Sequence, residues 1–171
     1  MVEVPFLHGM RRVGGAVAVV TTKAPGGEPK GLTATAFASL SADPPSLLVC
    51  VNRRTQLAAE VEAAGRFCVN VLSHAHIPVA ETFAGRAGLA GGERFAEGAW
   101  GALETGAPVL ADAYVVFDCV LERVVEHTSH LVLFGAVART AITEAAGAPL
   151  LYCEGRFATL AEPEPERRVP A

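Results

Sequence analysis

The chain has 171 residues, 51% of them apolar, with 14 Lys and Arg against 18 Asp and Glu for a formal net charge of −4. That length suits one domain with a full core, and basic runs no longer than a pair argue against nucleic acid as a partner. Neither a stretch of roughly 18 apolar residues nor a basic-then-apolar leader occurs, so the composition predicts a cytoplasmic chain without a membrane span.

A mean hydropathy of +0.35 points to apolar surface buried between subunits, although much of the excess is alanine that packs anywhere. The four cysteines, Cys50, Cys68, Cys119 and Cys153, are widely spaced inside apolar runs. They read as reduced core residues, not as a metal motif or a disulfide framework.

In chain order, residues 6–12 suit a short helix, and residues 15–22 are a β-branched run ended by the turn-rich segment Pro25 to Pro29. Residues 31–41 alternate small polar with apolar side chains and predict one strand, and residues 46–52 after Pro44-Pro45 predict a buried one. Residues 56–64 repeat apolar positions at helical spacing between a Thr55 N-cap and a terminating Gly65. A strand at 67–72 and a short helix at 77–83 follow. The Gly-rich stretch 85–101 predicts a surface loop whose Phe95 and Trp100 pack onto something. Residues 113–126 and 131–142 are β runs flanking polar His127 to His130, as in a hairpin, and 149–160 supply a last strand. Residues 1–160 thus read as one domain. The tail 161–171, where Pro alternates with charge, reads as disordered. Six or seven closely spaced strands with two or three short helices predict a mainly β, antiparallel barrel.

Neither a Gly-x-Gly-x-x-Gly fingerprint nor a P-loop is present: Gly26 and Gly31 have the P-loop spacing, but Leu32-Thr33 stand where Lys-Ser/Thr belong. No serine lies in a nucleophile elbow, and the pairs His74/His76 and His127/His130 lack a third ligand nearby in sequence, so no metal is expected. What remains is the hydroxyl series Thr33, Thr35, Ser39 and Ser41, which alternation puts on one strand face opposite Ala34, Ala36 and Ala38. Small hydroxyl side chains beside accessible amides suit a planar ligand with polar edges, but alternation alone is common and by itself favours a solvated strand face.

Gly31-Leu-Thr-Ala-Thr-Ala-Phe-Ala-Ser-Leu-Ser41 with Asp43-Pro-Pro-Ser-Leu-Leu-Val-Cys-Val-Asn-Arg53 resembles the flavin-binding core of the flavin reductase-like, FMN-binding split-barrel family. Further matches in the family's order are 16–22, 65–72, Phe83-Ala-Gly85, Arg94-Phe95, 106–110, 117–119, His130, Phe134-Gly135, 150–152 and Gly155-Arg-Phe157. The resemblance implies a homodimer of split barrels that binds FMN or FAD, takes hydride from NADH or NADPH, and supplies reduced flavin to an oxygenase component. By position, Thr33, Ala34, Thr35, Ala36 and Phe37 would line the flavin ring and ribityl chain. Cys50, Val51, Asn52, Phe83 and Ala84 would complete the wall, and Ser39, Ser41, Arg53 and Thr55 are candidates for the phosphate end. His130 matches the histidine near the nicotinamide, and Gly155, Arg156 and Phe157 match the segment closing that side. Ser129 replaces the family's usual acidic residue, and Phe157 its tyrosine. Such hydride transfer needs stacked rings and excluded water, with backbone donors around Thr35 to Phe37 and no protein nucleophile. A non-catalytic flavin- or haem-binding module of the same fold is the alternative.

Overall fold

The computed structural model describes residues 2–144 and 147–160; the tail 161–171 lies outside the described residues. Helix α1 (Phe6–Met10) leads into β1 (Gly15–Ala16), β2 (Ala18–Thr22), β3 (Lys30–Ala34), β4 (Phe37–Ala42) and β5 (Pro45–Asn52). Then come α2 (Gln56–Ala64), β6 (Arg66–Val71), α3 (Ile77–Phe83), β7 (Trp100–Ala102) and β8 (Pro108–Leu110). The long hairpin of β9 (Val115–His127) and β10 (His130–Ile142) precedes β11 (Leu151–Cys153) and β12 (Arg156–Ala158). The protein is mainly β and antiparallel, as the pattern predicts. No helix among the described residues is long and apolar enough to cross a membrane.

Seven strands form one sheet in the order β3-β2-β6-β9-β10-β5-β4, with β3 and β4 as its free edges. Val20 of β2 and Val49 of β5 share one core cluster with Val69, Leu133 and α2's Leu57 and Val61, so the sheet curls about them. Its other face packs Val19, Cys68 and Leu72 against Val79, Ala80 and Phe83 of α3. Because β2 and β6 are covered on both sides, their sequences run continuously apolar instead of alternating. The curl does not close, and the split lies between the two edges.

That topology corrects the single strand expected over residues 31–41. Residues 30–34 pair with β2, whereas 37–42 pair with β5 on the opposite edge. Thr35 and Ala36 make the crossing outside any strand. A hydroxyl alternation that looks like one face is therefore divided between the two sides of the split. The segment 149–160 likewise becomes a hairpin, turned at Glu154 (φ 52°) and Gly155 (φ 80°), and the described residues hold twelve strands in place of six or seven.

Local signals in α2 are met. Thr55 Oγ1 accepts from the Ala58 N–H at 3.2 Å, and Gly65 ends the helix at φ 64°, a left-handed conformation that favours glycine. Phe95 and Trp100 of the Gly-rich segment pack on Phe83, with ring centroids 4.9 and 5.3 Å away. Cys68 and Cys119 are buried, Cys50 and Cys153 half-buried, and all four are free. Burial first, then the Asp118 charge, pushes the Cys119 thiol up to about 12. The same causes, in the same order, push Cys68 further up, so neither is a thiolate near neutrality.

Candidate active site

The split opens into a groove of about 530 Å³, within the roughly 300–1,000 Å³ usual for small-molecule sites. One wall is β3 with the crossing residues Thr35 and Ala36; the other is the end of β5, Cys50 to Asn52, with His130 beside it. Phe83 and Ala84 at the end of α3 form the floor. Arg54, Thr55, Gln56, Ala90, Gly91 and Arg94 form the polar end.

Each wall is held by identifiable contacts. Thr33 Oγ1 donates to the Ala80 carbonyl at 2.7 Å, which ties β3 to α3 and engages the hydroxyl. Gly31 lies against Phe83, where a Cβ would stand 2.6 Å from a ring carbon, so glycine is what leaves room for that ring beside β3. Among the described residues, the N–H groups of Thr35 and Ala36 have no backbone acceptor. They are donors available to a polar ligand edge. The Cys50 N–H donates to the Ala36 carbonyl at 2.8 Å, which carries the β4–β5 ladder one step past Phe37 and Val49 and fixes the crossing against β5.

At the polar end, Asn52 Oδ1 accepts from the Arg54 N–H at 3.0 Å, and the Asn52 carbonyl accepts from the Thr55 hydroxyl at 2.8 Å. This tight turn brings the N-terminus of α2 to the groove. It also turns Arg53 and Arg54 apart. Arg53 lies 3.6 Å from Glu126 and donates to the Thr128 carbonyl, outside the groove, while Arg54 lines it. Arg94 donates to three carbonyls: Leu89 at 3.0 Å, Gly31 at 3.4 Å and Phe83 at 3.5 Å. Neither Arg54 nor Arg94 has a carboxylate within 4.0 Å among the described residues. Arg54 beside the α2 N-terminus, with Arg94 lining the same groove and neither paired to a carboxylate, suits a phosphate.

His130 opens β10 directly opposite Asn52. Its Nδ1 lies 2.9 Å from Ser129 Oγ, so a neutral hydroxyl orients the ring. Beside the groove, a hollow of about 200 Å³ shares Thr33, Ala34, Thr35 and Ala84 with it and is closed by Arg86, Tyr152 and Phe157. Tyr152 and Phe157 meet edge to face at 5.5 Å, and Arg86 lies 5.7 Å from the Phe157 ring centre.

The structure therefore gathers Thr33, Ala34, Thr35, Ala36, Cys50, Val51, Asn52, Thr55, Phe83, Ala84 and His130 around one groove, with Phe157 in the adjoining hollow. It places Phe37, Ser39 and Ser41 in a separate hollow beside β5, because β4 lies on the other edge of the sheet. Ser41 Oγ is engaged by Asp43 at 3.1 and 3.2 Å. Gly155 sits in the β11–β12 turn, and Arg156 lies 3.9 Å from Glu154. Of the adjacent pair Arg53-Arg54, sequence reasoning offered Arg53 for the phosphate end where the groove is lined by Arg54, and it missed Gln56, Gly91 and Arg94. The Asn52-Arg-Arg-Thr55 run was the available signal for Arg54, since an Asn turn before an N-cap separates consecutive side chains.

Three comparisons bear on this geometry. The flavin reductase like domain family matches residues 10–161. The chain is 45% identical over 155 residues to the FMN reductase (NADH) RutF 1 of Methylorubrum extorquens, covering 91% of this chain and 75% of that one. Among solved structures it resembles the NADH:FAD oxidoreductase SgcE6 of Streptomyces globisporus in complex with NAD and FAD fragments. There the TM-score is 0.81 at 29% identity, over 91% of both chains. It also resembles nitrilotriacetate monooxygenase component B of Mycobacterium thermoresistibile, with a TM-score of 0.83 at 30% identity over 97% of this chain and 89% of that one.

Proposed function

The chain belongs to the flavin reductase like domain family, and from that premise we propose that its groove holds FMN beside NADH and that the reduced flavin leaves to serve a separate oxygenase component. The protein is a flavin reductase, an oxidoreductase of the NADH-dependent kind. The observation that carries the assignment of the groove is the pairing of a small-residue wall with a cationic end. Thr33 to Ala36 let a planar ring lie close to the backbone, while Arg54 at the start of α2 and Arg94 against the end of α3 line the same groove with no carboxylate partner among the described residues.

When bound, the flavin supplies the acceptor for the hydride of reduced nicotinamide. The chain's residues do the rest. Ala34, Ala36, Val51 and Phe83 exclude water from the ring's surroundings. Thr35 and Ala36 offer their N–H groups to its polar edge, where negative charge develops. Arg54, Arg94 and the α2 N-terminus hold the phosphate. His130 orients the nicotinamide from the β5 wall, and Tyr152 and Phe157 close the hollow beside the β3 wall. No side chain has to act as a nucleophile, which agrees with a groove whose one titratable lining group near β5, apart from the half-buried Cys50 thiol, is His130.

The partner reading is supported by the likeness to a monooxygenase component. A homodimer is supported by the apolar composition and by β4, an edge strand exposed along five of its six residues. The test of function is an aerobic mixture of protein, NADH and excess FMN, followed at the reduced-nicotinamide band. Absorbance should fall only when FMN and protein are both present, and desalted protein should need added FMN. A steady signal would sink the reductase reading. Turnover by desalted protein without added flavin would overturn the diffusible-product reading and favour a resident cofactor.

A further inference from the structure

Behind the polar end of the groove stands a charged cluster that the phosphate-holding residues do not include. Lys30 opens β3, and its side chain is only 13% exposed. Its Nζ lies 3.5 Å from Glu28 Oε2 and 3.7 Å from Glu60 Oε1. Glu60 is one helical turn after Gln56, on the same side of α2. All of this converges on Gly91: the position a Cβ would take there is 3.7 Å from Glu28 Oε2, 3.9 Å from Gln56 Oε1 and 4.0 Å from Lys30 Nζ. Gly91 and Gln56 both line the groove. The cluster thus links the start of β3 to α2 and sits against Gly91, beside two residues that line the polar end of the groove.

The charges differ in sign across this short span. On the near side, Arg54 and Arg94 are uncompensated cations. On the far side, one ammonium faces two carboxylates, leaving a net negative charge and no cation free for an anion. We propose that the Glu28–Lys30–Glu60 clasp is a specificity element that limits the flavin to its monophosphate form, favouring FMN over FAD; the proposal rests on the flavin groove described above. FMN ends at the phosphate that Arg54 and Arg94 meet. FAD continues with a second phosphate and an adenosine, which have to displace a three-residue clasp and sit against its surplus carboxylate. This is discrimination by a repulsive element added to an attractive one.

The test compares dissociation constants of FMN and FAD, read from quenching of flavin fluorescence, with NADH oxidation measured in parallel. The wild-type protein should bind FMN more tightly than FAD. In Glu28→Gln/Glu60→Gln, Lys30 is freed for the second phosphate, and the FMN-over-FAD preference should fall about tenfold. Lys30→Gln leaves two unpaired carboxylates and should raise the same preference. A clasp acting only as structure would weaken both flavins alike, so an unmoved ratio in both variants, or a wild-type preference for FAD, overturns the proposal. Ratios that move as stated without NADH oxidation would uphold the clasp and sink the reductase reading. Turnover with unmoved ratios would sink the clasp alone, and failure to bind either flavin would sink both.

Discussion

His130 lines the groove without supporting the fold. It is exposed, it faces Asn52 across the β5–β10 ladder, and its structural contact is the 2.9 Å link to Ser129. Replacing it should therefore leave stability nearly untouched and act on NADH. For His130→Ala we expect the KM for NADH to rise about threefold to tenfold, the loss of a single hydrogen bond worth roughly 0.5–1.5 kcal/mol. Steady-state kinetics at fixed FMN check this, and an unaltered KM would remove His130 from the site. The role of such a residue was legible only through resemblance, because a lone turn histidine has no pattern of its own. The opposite courses of Arg53 and Arg54 were not legible. Which of two adjacent arginines faces the groove depends on the Asn52 turn and on Glu126, which lies more than 70 positions away in the chain.

Among the elements, α2 and β3 differ in how their ends are determined. Helix α2 carries its own boundaries: Thr55 caps it, Gly65 ends it, and Leu57 and Val61 face the core, all within residues 55–65. β3 depends on what packs across it. Gly31 accepts Phe83, and Phe83 is 2% exposed and held by Phe95 and Trp100, so the ring cannot swing away. Gly31→Ala should overpack this contact, lowering stability by about 1–3 kcal/mol and weakening FMN binding by displacing the groove floor. Urea unfolding and flavin titration measure the two effects. A variant of unchanged stability would show that β3 can shift to accommodate a methyl group. The alternation over 31–41 was visible in the sequence. The break at Thr35 and Ala36 was not, because it arises from 30–34 and 37–42 pairing with different strands.

At the scale of the whole molecule, the open sheet leaves apolar surface unused. Leu40 on β4 is 53% exposed, and Val120 and Ile142 are also exposed. If the homodimer reading holds, sedimentation equilibrium should give a mass near twice 17.7 kDa, and a mass of one chain would overturn it. The same open topology explains what could be read without coordinates. The sequence by itself determined the antiparallel β character, the α2 helix with its caps, the β9–β10 hairpin and, through ordered motifs, the family. These depend on side-chain periodicity, turn chemistry and neighbours a few residues apart. Only the tertiary structure decided that Thr33 and Ser39 lie on opposite sides of a split, that Arg54 and Arg94 flank one groove, and that Glu28 and Glu60 meet at Lys30. Those are consequences of strand order and sheet curl, which bring together residues far apart in the chain and which no local pattern encodes.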